Sequence, residues 1–332
     1  MIPFAPHPFH PPLWARSGHA QTLAGKFLRS NPAISLRRER WETPDGDELL
    51  LDFADGGLDA APLVLVLHGL EGSALRPYAM LSYRALRAHG VAAVGLNFRG
   101  CGGELNRQPR FYHSGETGDP RWVLERLHAR WPGRPLGALG FSLGGNVLLK
   151  LLGELGEGGP AQVGAAAVVS VPFDLSAGAD ALERGPVVRA YARHFVRSLM
   201  KKVEAKGAQV APLISLLPAR RSRTLRAFDD FVTAPLHGFR DAAEYYAACS
   251  SKEFLHAVRV PTLVLHSRDD PFLPQEALPE AALHANPAFT PLVSERGGHV
   301  GFVHGSPWSP RFWAEQTAAR FLAERLSAKS RG

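Results

Sequence analysis

A serine stands between two glycines in the segment Gly140-Phe141-Ser142-Leu143-Gly144, which has the pattern G-x-S-x-G. The apolar run Leu136–Phe141 predicts a strand before the serine, and a helical pattern begins at Asn146. A strand that turns sharply into a helix holds such a serine in a strained, exposed position, and the glycines permit the tight turn. The hydroxyl of Ser142 is therefore a candidate nucleophile. The alternative is an ordinary strand-to-helix turn with a hydroxyl at the helix cap.

A glycine-containing loop, His68-Gly69-Leu70-Glu71-Gly72-Ser73, follows another predicted strand. Glycines in such a loop let backbone N–H groups approach a substrate closely. We expect the N–H groups of Leu70 and Leu143 to form an oxyanion hole, which holds the negative charge that develops on a carbonyl oxygen under attack. We interpret His68 as a structural hydrogen-bonding residue and Glu71 as a solvated loop charge without a role.

The candidate general base is a histidine in a flexible loop. The chain has 14 histidines, so a histidine by itself indicates little. His299 stands in the segment Gly297-Gly298-His299-Val300-Gly301, directly after the last predicted strand. A glycine-rich loop lets the imidazole reach a serine on a neighbouring strand. This position favours His299 over His304 and His266 as the base.

The third candidate is a carboxylate that orients the imidazole and stabilises its charged form. Asp270 follows the predicted strand Pro261–His266 and precedes a turn that contains proline. The resulting order of serine, aspartate and histidine along the chain is typical of hydrolases whose nucleophile lies at a strand-to-helix turn. Asp269, as a neighbouring turn residue, and Asp174, after the preceding strand, are the alternatives.

Short apolar runs alternate with helical patterns and place these candidates at strand ends. Runs that are apolar on both faces predict parallel strands covered by helices, and the Asp45-Gly46 turn predicts an N-terminal β-hairpin. We therefore predict an α/β-hydrolase fold, a mostly parallel doubly wound sheet of seven or eight strands, with its chemistry at the C-terminal strand ends. The predicted strands are Ile34–Trp41, Glu48–Phe53, Leu63–Leu67, Val91–Phe98, Pro135–Phe141, Ala165–Val171, Pro261–His266 and Ala288–Val293, and the predicted helices are Pro77–His89, Asp119–Trp131, Asn146–Leu155 and Ser309–Leu326.

The whole chain, residues 1–332, is predicted to form a single domain. Between Val171 and Pro261 the sequence shows helical patterns and no clear strand. An insertion after a core strand of this architecture lies above the sheet. We therefore predict that residues 175–255 form a helical cap over the active site.

One helical pattern in this insertion, over residues 187–206, is both amphipathic and basic. A helix of this kind can rest on an anionic membrane, where it would help an enzyme to take acyl chains from a lipid surface. The simpler interpretation, which we favour, is a cap helix with its apolar face on the core and its charges in water. A second basic cluster, Arg220-Arg221-Ser222-Arg223, belongs to no nucleic-acid recognition motif, so no nucleic-acid partner is expected.

Composition restricts the class of protein. The net charge is +7, and the two cysteines form at most one disulfide, which suits a reducing compartment. We interpret Cys101 as a packed or turn thiol. The N-terminal residues lack the pattern of a signal peptide, and no apolar stretch approaches the roughly 20 residues that span a bilayer. A soluble, cytoplasmic protein is expected, and the absence of nucleotide-binding and zinc-protease motifs implies no cofactor and no metal.

The motifs resemble those of the YheT-like branch of the α/β-hydrolases, which includes bacterial esterases assigned by similarity and eukaryotic abhydrolase-domain lipases. The resemblance implies a carboxylic-ester hydrolase for acyl esters of moderate length, with Ser142, Asp270 and His299 as its catalytic triad. Eukaryotic relatives often carry an N-terminal membrane anchor, which we do not expect here. The resemblance spans nearly the whole chain, and the segments that carry it are Pro12–Leu23, His68–Ser73, Phe98–Asp119, Gly140–Asn146, Asp229–Phe239 and Gly298–Phe302.

The predicted reaction is a two-step acyl transfer through Ser142, acting on short- to medium-chain acyl esters or acylglycerol-type lipids. The fold alone does not choose this chemistry, because it also supports amidases, peptidases and thioesterases. A non-catalytic binding protein on the same scaffold is the alternative from a different class.

Overall fold

The computed structural model describes residues 4–329 and contains a central sheet of eight strands. In chain order these strands are β1 Arg37–Glu42, β2 Glu48–Ala54, β3 Leu63–Leu67, β4 Ala92–Asn97, β5 Leu136–Phe141, β6 Ala165–Val169, β7 Thr262–Ser267 and β8 Phe289–Ser294. Their order in the sheet is β1-β2-β4-β3-β5-β6-β7-β8. The hairpin β1–β2 and the pair β2–β4 are antiparallel, and every other neighbouring pair is parallel. This confirms the predicted mostly parallel sheet with an N-terminal hairpin.

The central strands are apolar on both faces because both faces are covered. All residues of β3, β4, β5, β6 and β7 are buried, whereas the edge strand β1 is largely exposed. Successive side chains of a strand point to opposite faces. Accordingly, Leu63, Leu65 and Leu67 enter one hydrophobic core, and Val64 and Val66 enter the other.

Helices cover both faces of the sheet. The helices α3 and α4 contribute to the core that contains Leu65, and α2 and α13 contribute to the core that contains Val64. The sheet is therefore doubly wound, with helices on both faces, as the alternation of apolar runs and helical patterns predicts. In chain order the helices are α1 Gly18–Phe27, α2 Pro77–Ala88, α3 Gly118–Arg130, α4 Leu143–Leu155, α5 Gly159–Gln162, α6 Leu175–Ala181, α7 Pro186–Lys206, α8 Leu216–Arg221, α9 Leu225–Phe228, α10 Ala234–Leu236, α11 Ala242–Cys249, α12 Glu280–Ala285 and α13 Trp313–Lys329.

Several elements differ from the sequence prediction. Helix α4 begins at Leu143, directly after the candidate nucleophile, and not at Asn146. The closing helix begins at Trp313 and not at Ser309, because two short strands, β9 Val303–Ser306 and β10 Ser309–Phe312, pair as an antiparallel hairpin before it. Helix α1 was not predicted; it begins after Ser17, whose hydroxyl accepts the N–H of Ala20 and caps the helix.

The segment between β6 and β7 consists of the helices α6 to α11 joined by turns, and no strand occurs there among the described residues. The longest of these helices, α7, buries Val188, Ala192, Val196 and Val203. This spacing places the four residues on one face, which packs onto the rest of the protein while the other side faces solvent.

No helix within residues 4–329 combines the length and the apolar character needed to cross a lipid bilayer. Helix α7 has 21 residues, but arginines and lysines recur along it.

Candidate active site

Ser142 lies in the sharp turn between β5 and α4. Its backbone adopts φ 51° and ψ −120°, a conformation that is strained for a residue with a β-carbon. A β-carbon at Gly140 would lie 2.6 Å from the carbonyl oxygen of Gly144, and one at Gly144 would lie 2.5 Å from that of His68. Because only glycine fits at both positions, the motif glycines are required by the packing around the turn. The turn exposes Ser142 to a cavity.

A continuous chain of hydrogen bonds joins a carboxylate, an imidazole and the serine hydroxyl. Nδ1 of His299 lies 2.8 Å from Oδ2 of Asp270, and Nε2 of His299 lies 2.9 Å from Oγ of Ser142. When Nδ1–H donates to the carboxylate, Nε2 is left to accept the hydroxyl proton. The structure thus brings together the three residues that the sequence singles out, on the turns that follow β5, β7 and β8.

The carboxylate of Asp270 is shielded from water, since its side chain is 0% exposed. Its second oxygen, Oδ1, accepts the N–H of Phe272 at 2.8 Å. The ring of Phe272 also packs against the imidazole of His299, with 4.7 Å between the ring centroids. Asp270 therefore has one oxygen held by the backbone and the other directed at the imidazole, which fixes the orientation and the tautomer of His299.

The alternative carboxylates perform structural tasks. Oδ1 of Asp269 accepts the N–H groups of Gly297 and Gly298, each at 2.9 Å, and so holds the loop that precedes the candidate base. Asp174 accepts the N–H of Ala177 and caps α6. In the described part of the chain neither carboxylate hydrogen-bonds to the imidazole at position 299.

The alternative histidines lie elsewhere. His266 is buried at the end of β7, and burial lowers its pKa to about 4. His304 lies on the strand β9. Within residues 4–329 neither histidine hydrogen-bonds to Ser142, so the geometry favours His299 among the three.

Residues at the N-terminal end of the chain hold the loop of the candidate base. Oγ1 of Thr22, in α1, accepts the N–H of His299 at 2.9 Å. Just beyond α1, the guanidinium of Arg29 donates to the carbonyl oxygens of Val300 at 2.7 Å and Gly301 at 3.1 Å. Sequence reasoning did not assign these roles; the one signal was that the segment around Thr22 belongs to the family resemblance.

The two predicted oxyanion donors line the cavity beside Ser142. Neither the N–H of Leu70 nor that of Leu143 donates a hydrogen bond to another group within residues 4–329, so both remain available to a ligand. Gly69 brings the first loop close to the nucleophile, because a β-carbon there would lie 3.2 Å from Cβ of Ser142. The arrangement provides two N–H donors near the serine.

His68 is buried beneath the oxyanion loop and makes two hydrogen bonds. Nδ1 pairs with the carbonyl oxygen of Gly69 at 2.8 Å, and Nε2 accepts the N–H of Phe98 at 3.1 Å. Burial lowers the pKa of His68 to about 3, so the ring is neutral at pH 7. These contacts agree with a structural role.

The interpretation of Glu71 as a solvated charge is wrong. Its side chain is only 6% exposed, and its carboxylate pairs with Lys202 of α7 at 2.6 Å. The hydroxyl of Tyr112 also donates to it, at 3.0 Å. Sequence spacing gave no signal for this pair, because its two members are 131 residues apart.

Cys101 is a buried free thiol next to this pair, and Nζ of Lys202 lies 3.3 Å from its Sγ. Burial raises the pKa of the Cys101 thiol to about 11. The thiol is therefore protonated at neutral pH, which agrees with a packed residue and not with a nucleophile.

A cavity of about 510 Å³ opens above Ser142 and has a mostly apolar wall. This volume lies within the range of small-molecule binding sites. Helices α6, α7, α9 and α11 supply much of the wall, and α1 supplies part of the rim. The apolar and aromatic lining residues from these helices, and from the end of α6 at Leu182, include Phe27, Leu175, Tyr191, Phe195, Leu199, Leu225, Tyr245 and Tyr246.

Comparison with known proteins agrees with this architecture. The sequence profile of the alpha/beta hydrolase fold family matches residues 62–306. The chain is 38% identical to the Escherichia coli protein YheT, which is named as an esterase by inference, over 94% of this chain and 92% of that protein. It is 31% identical to a mouse protein named Phospholipase ABHD3, over 91% and 75% of the two chains.

One further protein is similar in sequence, and one solved structure is similar in fold. A Saccharomyces cerevisiae protein named Monoacylglycerol lipase is 30% identical over 86% of this chain and 63% of its own length. A solved structure of the Pyrococcus furiosus esterase Pf2001 superimposes with a TM-score of 0.58 at 16% identity and covers 89% of this chain and 92% of that one. At that identity the structural match shows the fold alone. The extent of the profile match and of the identity to YheT shows that the chain belongs to the YheT-like branch of the α/β-hydrolase fold family, as a hydrolase of the esterase and lipase type.

Proposed function

We propose that the protein is a carboxylic-ester hydrolase that forms an acyl-enzyme on Ser142. The observation that carries this proposal is the unbroken relay from Asp270 through His299 to Ser142, with distances of 2.8 and 2.9 Å, at the floor of an apolar cavity. A relay of this kind raises the reactivity of a hydroxyl that is otherwise a weak nucleophile.

In the first step Ser142 Oγ attacks the ester carbonyl while Nε2 of His299 takes its proton. The N–H groups of Leu70 and Leu143 stabilise the resulting oxyanion, and Asp270 stabilises the imidazolium. The imidazolium then protonates the leaving alcohol, and the acyl group stays on Ser142. In the second step His299 removes a proton from water and the water attacks the acyl-enzyme. The bond to Ser142 Oγ breaks, the imidazolium returns the proton to Oγ, and the acid is released.

The cavity favours an apolar acyl chain. Its wall is mostly aliphatic and aromatic, so burial of a hydrocarbon chain there would be favourable. The names of the similar proteins, an esterase, a monoacylglycerol lipase and a phospholipase, support acyl esters as the substrate class. We infer short- to medium-chain acyl esters or acylglycerol-type lipids as substrates.

The test is hydrolysis of p-nitrophenyl esters with acyl chains from two to sixteen carbons, beside matched anilides and thioesters. We expect the esters to turn over fastest and Ser142→Ala to abolish the activity. Mass spectrometry of protein mixed rapidly with substrate should show the acyl group on the peptide that contains Ser142. Preferred cleavage of anilides or thioesters would favour an amidase, a peptidase or a thioesterase instead. Failure of a fluorophosphonate to label Ser142 in folded protein would favour a non-catalytic binding protein.

We also propose that residues 175–255 act as a cap within the single domain. The support is that α6, α7, α9 and α11 wall the cavity above the serine. Exchange of bulky cap residues such as Phe195 for alanine should widen the range of acyl chains accepted. An unchanged chain-length profile would contradict the proposal.

We further propose, as the alternative to a purely structural cap helix, that the exposed basic side of α7 contacts an anionic membrane. Arg189, Arg193 and Arg197 are exposed and spaced four residues apart, which aligns them along one side of the helix. Phe27, 70% exposed, adds an apolar side chain at the rim of the cavity. Cations beside apolar rim residues suit a surface of acidic headgroups.

The membrane proposal predicts binding to vesicles that contain phosphatidylglycerol and weaker binding of Arg193→Glu/Arg197→Glu. The control Arg84→Glu/Arg126→Glu makes the same change of charge at exposed positions on α2 and α3. Equal binding of the two double variants would show that α7 does not contribute specifically to membrane binding.

We infer a cytoplasmic location from the two free, buried thiols, which need no oxidising compartment. Cell fractionation tests this inference.

A further inference from the structure

Glu71 joins the oxyanion loop to the cap helix α7. It follows the proposed oxyanion donor Leu70 directly in the chain and has φ 53°. Its carboxylate receives three contacts, two of them from α7: the ammonium of Lys202 at 2.6 Å and the hydroxyl of Ser198. The third is the hydroxyl of Tyr112 at 3.0 Å. The family profile accounts for the fold but assigns no task to this cluster.

The peptide groups on either side of Leu70 are both held. The carbonyl oxygen of Gly69 accepts the N–H of Gly72 at 2.9 Å and contacts Nδ1 of His68 at 2.8 Å. Because a peptide group is planar, fixing this carbonyl also fixes the N–H of Leu70, which belongs to the same group. On the other side, the N–H of Glu71 donates to the Tyr112 hydroxyl at 2.8 Å.

The Tyr112 hydroxyl thus contacts both the backbone and the side chain of Glu71. Its oxygen accepts the backbone N–H, and its proton goes to the carboxylate. A displacement of the Glu71 carboxylate would therefore also move the Tyr112 hydroxyl. That hydroxyl holds the backbone N–H of Glu71, directly after the oxyanion donor Leu70. Lys202 and Ser198 set the position of that carboxylate from the cap side.

Charge gives the cluster a second effect. An anionic Glu71 beside the proposed oxyanion hole would oppose a developing negative charge unless a cation compensates it. Lys202 supplies that cation. Burial opposes the charge on Lys202, but its contacts with Cys101 and Glu71 outweigh burial and raise the pKa of the ammonium above its usual value.

We propose that Lys202, assisted by Ser198, is a positioning residue that acts through Glu71 to hold the N–H of Leu70 in place for the oxyanion and to neutralise the charge beside it. The cap helix therefore completes the oxyanion hole as well as walling the cavity. This inference rests on the proposed ester hydrolysis, and its test separates the two.

The experiment measures kcat and KM for p-nitrophenyl butyrate in four variants. Lys202→Met keeps the apolar stem and removes the cation. The matched control, Lys252→Met, breaks a different contact between a cap residue and the rest of the protein, the exposed ion pair with Asp174 at 2.7 Å. Glu71→Gln/Lys202→Met removes both charges. The glutamine oxygen can still accept from the Tyr112 hydroxyl, and the amide NH2, in place of the second carboxylate oxygen, can donate to the Ser198 hydroxyl. Ser142→Ala reports on the proposed function itself.

We expect Lys202→Met to lower kcat by about 10- to 100-fold with little change in KM, because the oxyanion donor acts in the transition state. Lys252→Met should behave as wild type, and the double variant should recover most of the lost kcat. Equal kcat in Lys202→Met and Lys252→Met, or a double variant as slow as Lys202→Met, would overturn the inference.

Activity that persists in Ser142→Ala would instead overturn the proposed function. If Lys202→Met does not fold, Ser198→Ala gives the test, because it removes one neutral donor from the same carboxylate and keeps the ion pair. A loss of kcat of about threefold or more at constant KM is then expected, and an unchanged kcat contradicts the inference.

Discussion

Thr22 accepts the backbone N–H of His299 through its hydroxyl oxygen at 2.9 Å. The two residues are 277 positions apart in the chain. Thr22 lies in α1, which precedes the region matched by the family profile, residues 62–306. The loop that carries the candidate base therefore depends on a helix outside the region that the family profile matches.

Replacement of Thr22 by valine should slow catalysis. Valine keeps the shape of threonine but leaves the N–H of His299 without its acceptor, which costs about 1–3 kcal/mol if the loop stays in place. The loop is expected to shift instead and misplace the imidazole. We expect kcat for p-nitrophenyl butyrate to fall about tenfold, with a smaller change in KM. Thr22→Ser keeps the acceptor and should retain most of the activity; equal kcat in the two variants would contradict the role of the hydroxyl.

The buried ion pair between Arg29 and Glu315 should contribute both to stability and to the shape of the same loop. Nε of Arg29 lies 2.7 Å from Oε1 of Glu315, and the two side chains are 4% and 1% exposed. Arg29→Met leaves a buried carboxylate without a partner, so the free energy of unfolding in urea should fall by about 3–5 kcal/mol.

The double variant Arg29→Met/Glu315→Leu separates the two contributions. Without a buried unpaired charge, it should regain most of the lost stability. It should not restore the kcat that Arg29→Met is expected to lose, because the carbonyl oxygens of Val300 and Gly301 still lack the guanidinium as a hydrogen-bond donor. Full recovery of both quantities would show that Arg29 acts on stability alone.

Asparagine substitutions distinguish the two neighbouring aspartates. Asp270→Asn removes the charge that stabilises the imidazolium and disturbs its tautomer, so kcat should fall by about 10³- to 10⁴-fold. Asp269→Asn keeps an oxygen that can accept the N–H groups of Gly297 and Gly298, so we expect a loss of less than about tenfold. The reverse order of the two effects would assign the acid to Asp269.

Acid should destabilise the protein through its buried histidines. Burial lowers the pKa of His68 to about 3 and that of His266 to about 4, whereas the unfolded chain titrates near the ordinary value of about 6.5. Below pH 6.5 the unfolded state therefore binds protons that the folded state does not, and stability falls as the pH falls, down to the folded pKa values.

The share of His266 can be measured by urea unfolding at pH 7.5 and pH 5.0. Between these values it should account for about 2 kcal/mol of lost stability. His266→Gln should reduce the pH dependence by that amount, whatever its effect at pH 7.5. The matched control is His284→Gln, which removes a histidine from an exposed position on α12. An identical pH dependence in both variants would refute the assignment.

The sheet and the positions of the three relay residues could be predicted from the sequence, because the patterns that indicate them lie within short segments. Runs such as Leu63–Leu67 are apolar at every position, and the glycines around Ser142 and His299 stand next to the residues that they expose. The catalytic roles of Ser142, Asp270 and His299 stay predictions until the variants are measured.

The contacts that support the site could not be predicted from the sequence, because each of them joins residues that are far apart in the chain. Glu71 looks like an ordinary loop charge until α7 places Lys202 beside it, 131 residues later. The sequence predicts a helix over the residues of β10 and no element over those of β9. Four-residue strands have little pattern of their own and are defined by their pairing. Helix α1 is short, and what it contacts is at the other end of the chain.

The contact between Arg29 and Glu315 joins positions 286 residues apart, nearly the full length of the chain. During synthesis the ribosome releases the serine turn long before α13 emerges. Until α13 docks, Glu315 cannot hold the guanidinium of Arg29 against the loop around position 299. A nascent chain that already contains every relay residue should therefore still be inactive, and hydrolysis should begin only after α13 has emerged and docked.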